Sequence, residues 1–145
     1  MERVKTESEY NMIDWWKKAF LQNYANFEGR ARRSEYWYFI LFNFIISFTA
    51  WIASFILFFI GGFLLWFFIG AFSLAIIIPK LAVQVRRLHD TGKSGWWIFI
   101  CLIPVIGAIA LLVFNLTEGD RGANEYGPDP KQISDSTINE IGKNY

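Results

Sequence analysis

"YWYFILFNFIISFTAWIASFILFFIGGFLLWFFIGAFSLAIIIP", residues 36–79, holds 44 consecutive positions without a charged side chain. A soluble domain of 145 residues must also cover a polar surface, and so long an uncharged run does not suit one. Apolar runs of about 18 or more residues read as membrane-spanning. A single helix of 44 residues would reach about 66 Å, twice a bilayer core of roughly 30 Å. Gly61–Gly62 falls near the middle and supplies the break. The run therefore reads as a hairpin of two spans, near 36–59 and 63–84. The second carries on to about residue 90 and is kinked at Pro79.

Downstream, residues 96–116 form another uncharged run of 21 positions. As a helix it would be about 31 Å long, enough to cross. Pro104 and Gly107 lie inside it. The favoured reading is a kinked third span. The alternative is a re-entrant pair, whose halves are each too short to cross. Upstream, Ile13, Trp16, Phe20, Tyr24 and Phe27 recur at helical spacing, with Asp14 and Lys18 on the other face. Residues 11–28 are thus expected to form an amphipathic interfacial helix, with packing on the rest of the domain as the alternative. Residues 1–10 read as disordered, 119–130 as ordered turns and 131–145 as a flexible tail. The fold class is all-α, an integral membrane helical bundle of three spans plus the interfacial helix.

Composition sets further bounds. The net charge of +1 gives no reason to expect a nucleic-acid partner. Cys101 is the only cysteine, so no intrachain disulfide can form. No cleaved targeting segment is visible, and the first span is expected to direct insertion itself. Lysine and arginine number seven in the first 35 residues, four in the 80–95 loop and three in the tail. With three spans the first two groups share a side, which the positive-inside rule places in the cytoplasm. The tail is then expected on the outer side.

The loop between the second and third runs, "VQVRRLHDTGKSGWW" at 83–97, contains the only histidine. Gly92 suits a left-handed helix stop, and Arg86, Arg87 and His89 suit a helix C-terminus. Asp90 does not, because the helix dipole disfavours a carboxylate there. Arg86 stands four residues earlier, in the weaker order for a helical pair. An arginine from the 30–33 segment, returned by the hairpin to the same face, is the expected partner. The nearer pair for Glu35 is Arg32, three residues before it. His89 and Asp90 are acid–base residue types, but helix neighbours point about 100° apart and no nucleophile is suggested by spacing. No catalytic residue, cofactor or metal site is assigned. The candidate site is a basic membrane face formed by Arg30, Arg32, Arg33, Arg86, Arg87, His89, Asp90 and Lys93. Trp37, Trp96 and Trp97 serve as interface anchors. Anionic lipid head groups or a partner protein are the expected ligands, and the plain alternative is a positive-inside anchor. An oligomeric channel or transporter subunit ranks behind, allowed by Gly61, Gly62, Gly70, Ala71, Ser73 and Ala75 as close-packing positions. An enzyme acting on a membrane-embedded substrate ranks third.

Three segments, "FEGRARRSEYWYF" at 27–39, "RRLHDTGKSGWW" at 86–97 and "NEYGPDP" at 124–130, resemble in order and spacing the signature segments of the YhaH-type small bacterial inner-membrane proteins, the domain of unknown function 805. The resemblance covers roughly residues 15–130. It implies a multi-pass protein of the bacterial inner membrane, with no established activity.

Overall fold

The structure, a computed structural model, describes residues 7–57 and 63–131. The expected turn at Gly61–Gly62, the first six residues and the tail beyond Lys131 lie outside them. Among the described residues no strand forms.

Helix α1 (Met12–Lys17) starts at a reciprocal cap: Asn11 accepts from the Asp14 amide, and Asp14 accepts from the Asn11 amide. One π turn, Lys18–Gln22, completes it. This helix is shorter than the expected 11–28. It lies against α2 with Trp15 and Ala19 buried, and Trp16 packs on Phe42 and Phe20. The segment expected to be disordered is partly ordered. Glu7–Glu9 make a 3₁₀ turn, and Glu7 is held by Lys18 at 2.6 Å and Arg32 at 3.1 Å.

Helices α2 (Arg33–Leu57) and α3 (Phe63–Asp90) are the two helices long and apolar enough to cross a membrane. Their buried side chains gather toward one end. Ala31, Tyr36, Phe39 and Val83 form a cluster with Ala19 there, whereas Phe55, Phe67 and Phe68 farther along the hairpin are all more than 60% exposed. Pro79 sits inside α3, where its missing N–H leaves the carbonyl four residues back, that of Ala75, without its helical donor. The Tyr24 hydroxyl donates to that carbonyl at 2.7 Å. The end of α3 follows the Gly92 expectation closely. Gly92 has φ +65°, its amide donates to His89 O and the Lys93 amide donates to Leu88 O.

The third apolar run does not form the kinked span expected for 96–116. Gly95–Leu102 is a 3₁₀ segment, and α4 (Ile106–Leu116) is a separate helix. Each is about 16 Å long, half a bilayer core. They are joined by a γ-turn: Val105 has φ 65° and ψ −60°, and the Ile106 amide donates to Pro104 O at 2.7 Å. The two pieces then fold together, so closely that a Cβ on Gly107 would run into the Ile100 carbonyl. Both ends of the run meet the same part of α3. A Cβ on Gly95 would stand 2.8 Å from Val85, while Asn115 bonds Gln84. The run is therefore a re-entrant hairpin. The physical reason is that Pro104 removes a helical donor midway, and Gly107 lets the two halves approach closely. The described part of the tail lies against residues 30–33, where Arg30 donates to its carbonyls, whereas the three-span reading placed the two apart.

Candidate functional site: a buried charge clasp

The residues between the apolar runs come together at one end of the α2–α3 hairpin. Two carboxylates organise them. Asp90 meets Arg30 at 3.0 Å and also Arg87, three residues earlier on α3. An arginine from the 30–33 segment does reach Asp90, and it is Arg30, with Arg87 rather than Arg86 as the helical neighbour. All three groups are buried. Burial pushes the Asp90 carboxyl above the usual carboxylate range, and the Arg87 and Arg30 guanidiniums pull against it. The second carboxylate is Glu35, fully buried at the start of α2. Its partners are Arg86 at 2.6 Å and Lys18 at 3.1 Å. Glu35 therefore does not pair with Arg32, which turns to Glu7 instead.

The two arginines on Asp90 also hold the tail. Arg30 donates to the carbonyls of Asp120, Gly122 and Gly127. Arg87 donates to those of Asn115 and Thr117. The Asp120 amide donates to Asp90 O at 2.7 Å, and Asn124 donates to His89 O at 2.9 Å. Gly119 passes so near Asp90 that a Cβ would strike the carboxylate. On the other flank, the Ala31 amide donates to Arg86 O at 3.0 Å. The segment before α2, the end of α3 and the tail are thus cross-linked by polar contacts. The fork geometry of arginine suits the role, since one guanidinium can serve a carboxylate and several carbonyls at once.

His89 belongs to this construction too. Its Nδ1 lies 3.1 Å from the Gly29 carbonyl, and its ring stacks on Tyr126 at 3.9 Å and 4°. A carbonyl only accepts, so Nδ1 carries the hydrogen. Burial holds its pKa below the usual histidine value. Lys93 donates to Thr91 O at 3.1 Å and lies over the Phe114 ring. Arg33 reaches Leu116 O and, at the exposed edge, Glu118, which it shares with Lys131. Trp37 donates to Asn115 O and is tied to α4, whereas Trp96 is 78% exposed. Trp97 packs edge-on against Phe114.

Several residues that carry the site were not singled out by the sequence. Gln84 and Asn115 exchange amide bonds at 3.0 and 3.2 Å, and Asn115 also donates to the Tyr36 hydroxyl at 2.9 Å. Asn43 takes up Phe39 O and the Trp16 indole N–H. Each is a polar side chain in or beside an apolar run, which was the available signal, because such residues must find partners. Lys18, Glu7 and Tyr126 gave no such sign. Among the described residues no cluster of three His, Cys, Asp or Glu side chains is placed to hold a metal ion.

Two apolar hairpins joined by a buried polar clasp define a small multi-pass membrane protein of the all-helical class. Within that class the chain belongs to the family described as "Protein of unknown function (DUF805)", which it matches over residues 24–128. It is 43% identical to the inner membrane protein YhaH of Escherichia coli (strain K12) over 126 residues, covering 82% of this chain and 98% of that one. To the inner membrane protein YhaI of the same strain it is 45% identical over 116 residues, covering 80% and 95%. The uncharacterized protein YiiR, also of that strain, is 26% identical over 136 residues, covering 74% and 88%. No solved structure matches the chain. The names of YhaH and YhaI give an inner-membrane location, and none of the three names gives an activity.

Proposed function

We propose that the protein is a small non-enzymatic component of the inner membrane whose basic face, turned to the cytoplasm, binds anionic lipid head groups. The observation that carries this reading is the return of the tail. With Arg121 and Lys131 brought to the end that holds residues 30–33 and 86–93, the basic groups of all three segments share one face. The intervening turn of the α2–α3 hairpin has no charged residue. So lopsided a distribution favours the cytoplasm under the positive-inside rule. Arg30, Arg86 and Arg87 are consumed by the clasp, so lipid contact falls to the outer cations. Arg33, Arg121 and Lys131 are exposed on this face, and Lys17 and Lys80 are exposed as well. Each adds roughly 1 kcal/mol near an anionic surface. The non-enzymatic part of the reading is supported by the engagement of His89 and Asp90 with separate structural partners.

Native mass spectrometry in mild detergent tests the proposal. The wild type is expected to retain phosphatidylglycerol or cardiolipin, and the combined Arg33→Gln, Arg121→Gln, Lys131→Gln variant to lose it. Equal retention by both proteins sinks the reading. Orientation is tested separately by Glu125→Cys in a Cys101→Ser background. A membrane-impermeant thiol reagent should label it only after the cells are opened, and labelling of intact cells would reverse the assigned side.

A further inference from the structure

A groove of about 680 Å³ runs between α3 and the 3₁₀ segment of the re-entrant hairpin. Leu81, Val85 and His89 form one wall, Trp96 and Phe99 the other, and Phe27 covers one side. The volume is that of a single small-molecule site. No lysine, arginine, aspartate or glutamate lines it, so nothing there would neutralise a phosphate. Leu81, Phe99 and Leu102 on its walls are apolar and exposed, so the groove is open at the surface of the α3–hairpin pair.

Three polar side chains line this apolar setting, His89, Ser94 and Cys101, and the Ser94 hydroxyl already accepts from the Trp96 amide. His89 spends Nδ1–H on Gly29 and is fixed in orientation by the Tyr126 stack. Its lowered pKa keeps the ring neutral at pH 7, which leaves Nε2 a bare acceptor. That nitrogen is 3.5 Å from where a Cβ on Gly95 would stand, on the groove side, and it has no hydrogen-bond partner among the described residues. A ligand that engages this nitrogen donates a hydrogen bond, and a lining without charged groups and with aromatic walls suits an uncharged, flat head. An oxidised quinone or an ester presents only acceptors to this nitrogen, and a two-chain glyceride has no flat ring for Trp96 and Phe99, which themselves stack at 5.6 Å.

We propose that this groove binds a membrane quinol, with the ring between Phe27 and the Trp96–Phe99 wall, one ring hydroxyl donating to His89 Nε2, and the single isoprenoid tail leaving past Leu81 into the bilayer. The inference concerns binding only and is independent of the outer cations Arg33, Arg121 and Lys131, none of which lines the groove.

The test uses the full-length protein in phosphatidylcholine nanodiscs, titrated anaerobically with decylubiquinol by isothermal calorimetry. Saturable binding is expected. Decylubiquinone, which lacks the donor, and monoolein, an aliphatic alcohol, should each bind at least tenfold more weakly. His89→Phe, which keeps a ring to stack on Tyr126, should weaken quinol binding about tenfold. Leu81→Trp fills the groove from a half-exposed position away from the clasp and should abolish binding. Equal affinity for quinol and quinone overturns the proposal without any variant. So does undiminished binding to Leu81→Trp, or monoolein binding as tightly as the quinol.

Discussion

The two buried carboxylates invite comparison. Glu35 and Asp90 each hold two cations, one from the N-terminal segment and one from the end of α3. Their surroundings differ. Around Asp90 the arginines have other acceptors, because the tail supplies carbonyls to both. Around Glu35 the supply is short. Arg86 is 3% exposed and, among the described residues, has Glu35 as its only side-chain acceptor and keeps Nε and Nη2 without hydrogen bonds. A buried charge with one partner is fragile, and a buried charge with several tolerates the loss of one. The number of cations on a carboxylate is therefore a poor guide to what its removal costs.

The sharpest way to break this comparison is to delete each carboxylate. Glu35→Ala should cost about 3–5 kcal/mol, because it strands Arg86. Asp90→Ala should cost less, about 2–3 kcal/mol, since Arg30 and Arg87 keep their carbonyls. Thermal unfolding in detergent ranks them, and the reverse order would refute the distinction. A double variant, Glu35→Leu with Arg86→Met, should be closer to wild type than either single change, as apolar replacements often match a buried pair. A smaller effect is expected at the α3 kink. Tyr24→Phe should cost about 1 kcal/mol by stripping the Ala75 carbonyl of its donor. Substituting Pro79→Ala in the same chain should erase that cost, because the helix then supplies the N–H itself. At the tip of the re-entrant hairpin, Val105→Gly should stabilise by roughly 1 kcal/mol, relieving a φ of 65° that a β-branched side chain tolerates badly.

The Asp90 side also carries a pH dependence, through His89. Burial depresses the His89 pKa in the fold below its ordinary value of about 6.5. The unfolded chain therefore takes up a proton before the folded chain does. The stabilisation is complete above about pH 6.5 and falls as pH drops toward the folded value. Glu125 and Tyr126 are the titratable groups beside the ring. The melting temperature should decline between pH 7 and 5.5 in the wild type and lose most of that slope in His89→Phe. An identical slope in both would remove His89 from the explanation.

The long helices were legible because an uncharged run has few ways to fold in a membrane. The end of α3 at Asp90 and the Gly92 stop were legible because local backbone chemistry decides them. The misfit of Asp90 with the helix dipole pointed correctly to the 30–33 segment, yet it could not choose among three arginines. That choice depends on Ala31 bonding Arg86 O, a contact across 55 positions. The third run misled because 21 residues are long enough to cross, and length alone does not weigh Pro104 against the close packing allowed by Gly107. Asn115 stands at the end of that run, and nothing local points to its partners. Its role depends on Gln84 and Tyr36, which only the re-entrant path brings near.

The clasp also has a chronology. Arg30 leaves the ribosome early, yet the carbonyl of Asp120 that it serves lies 90 residues later and that of Gly127 lies 97 later. The α2–α3 hairpin is complete and can enter the bilayer before its fastening exists. During that interval Arg30, Arg87 and Asp90 stand at the membrane edge with water as their main company. The last-made segment thus finishes a structure begun by one of the first, and a chain halted before residue 117 would be inserted but unfastened.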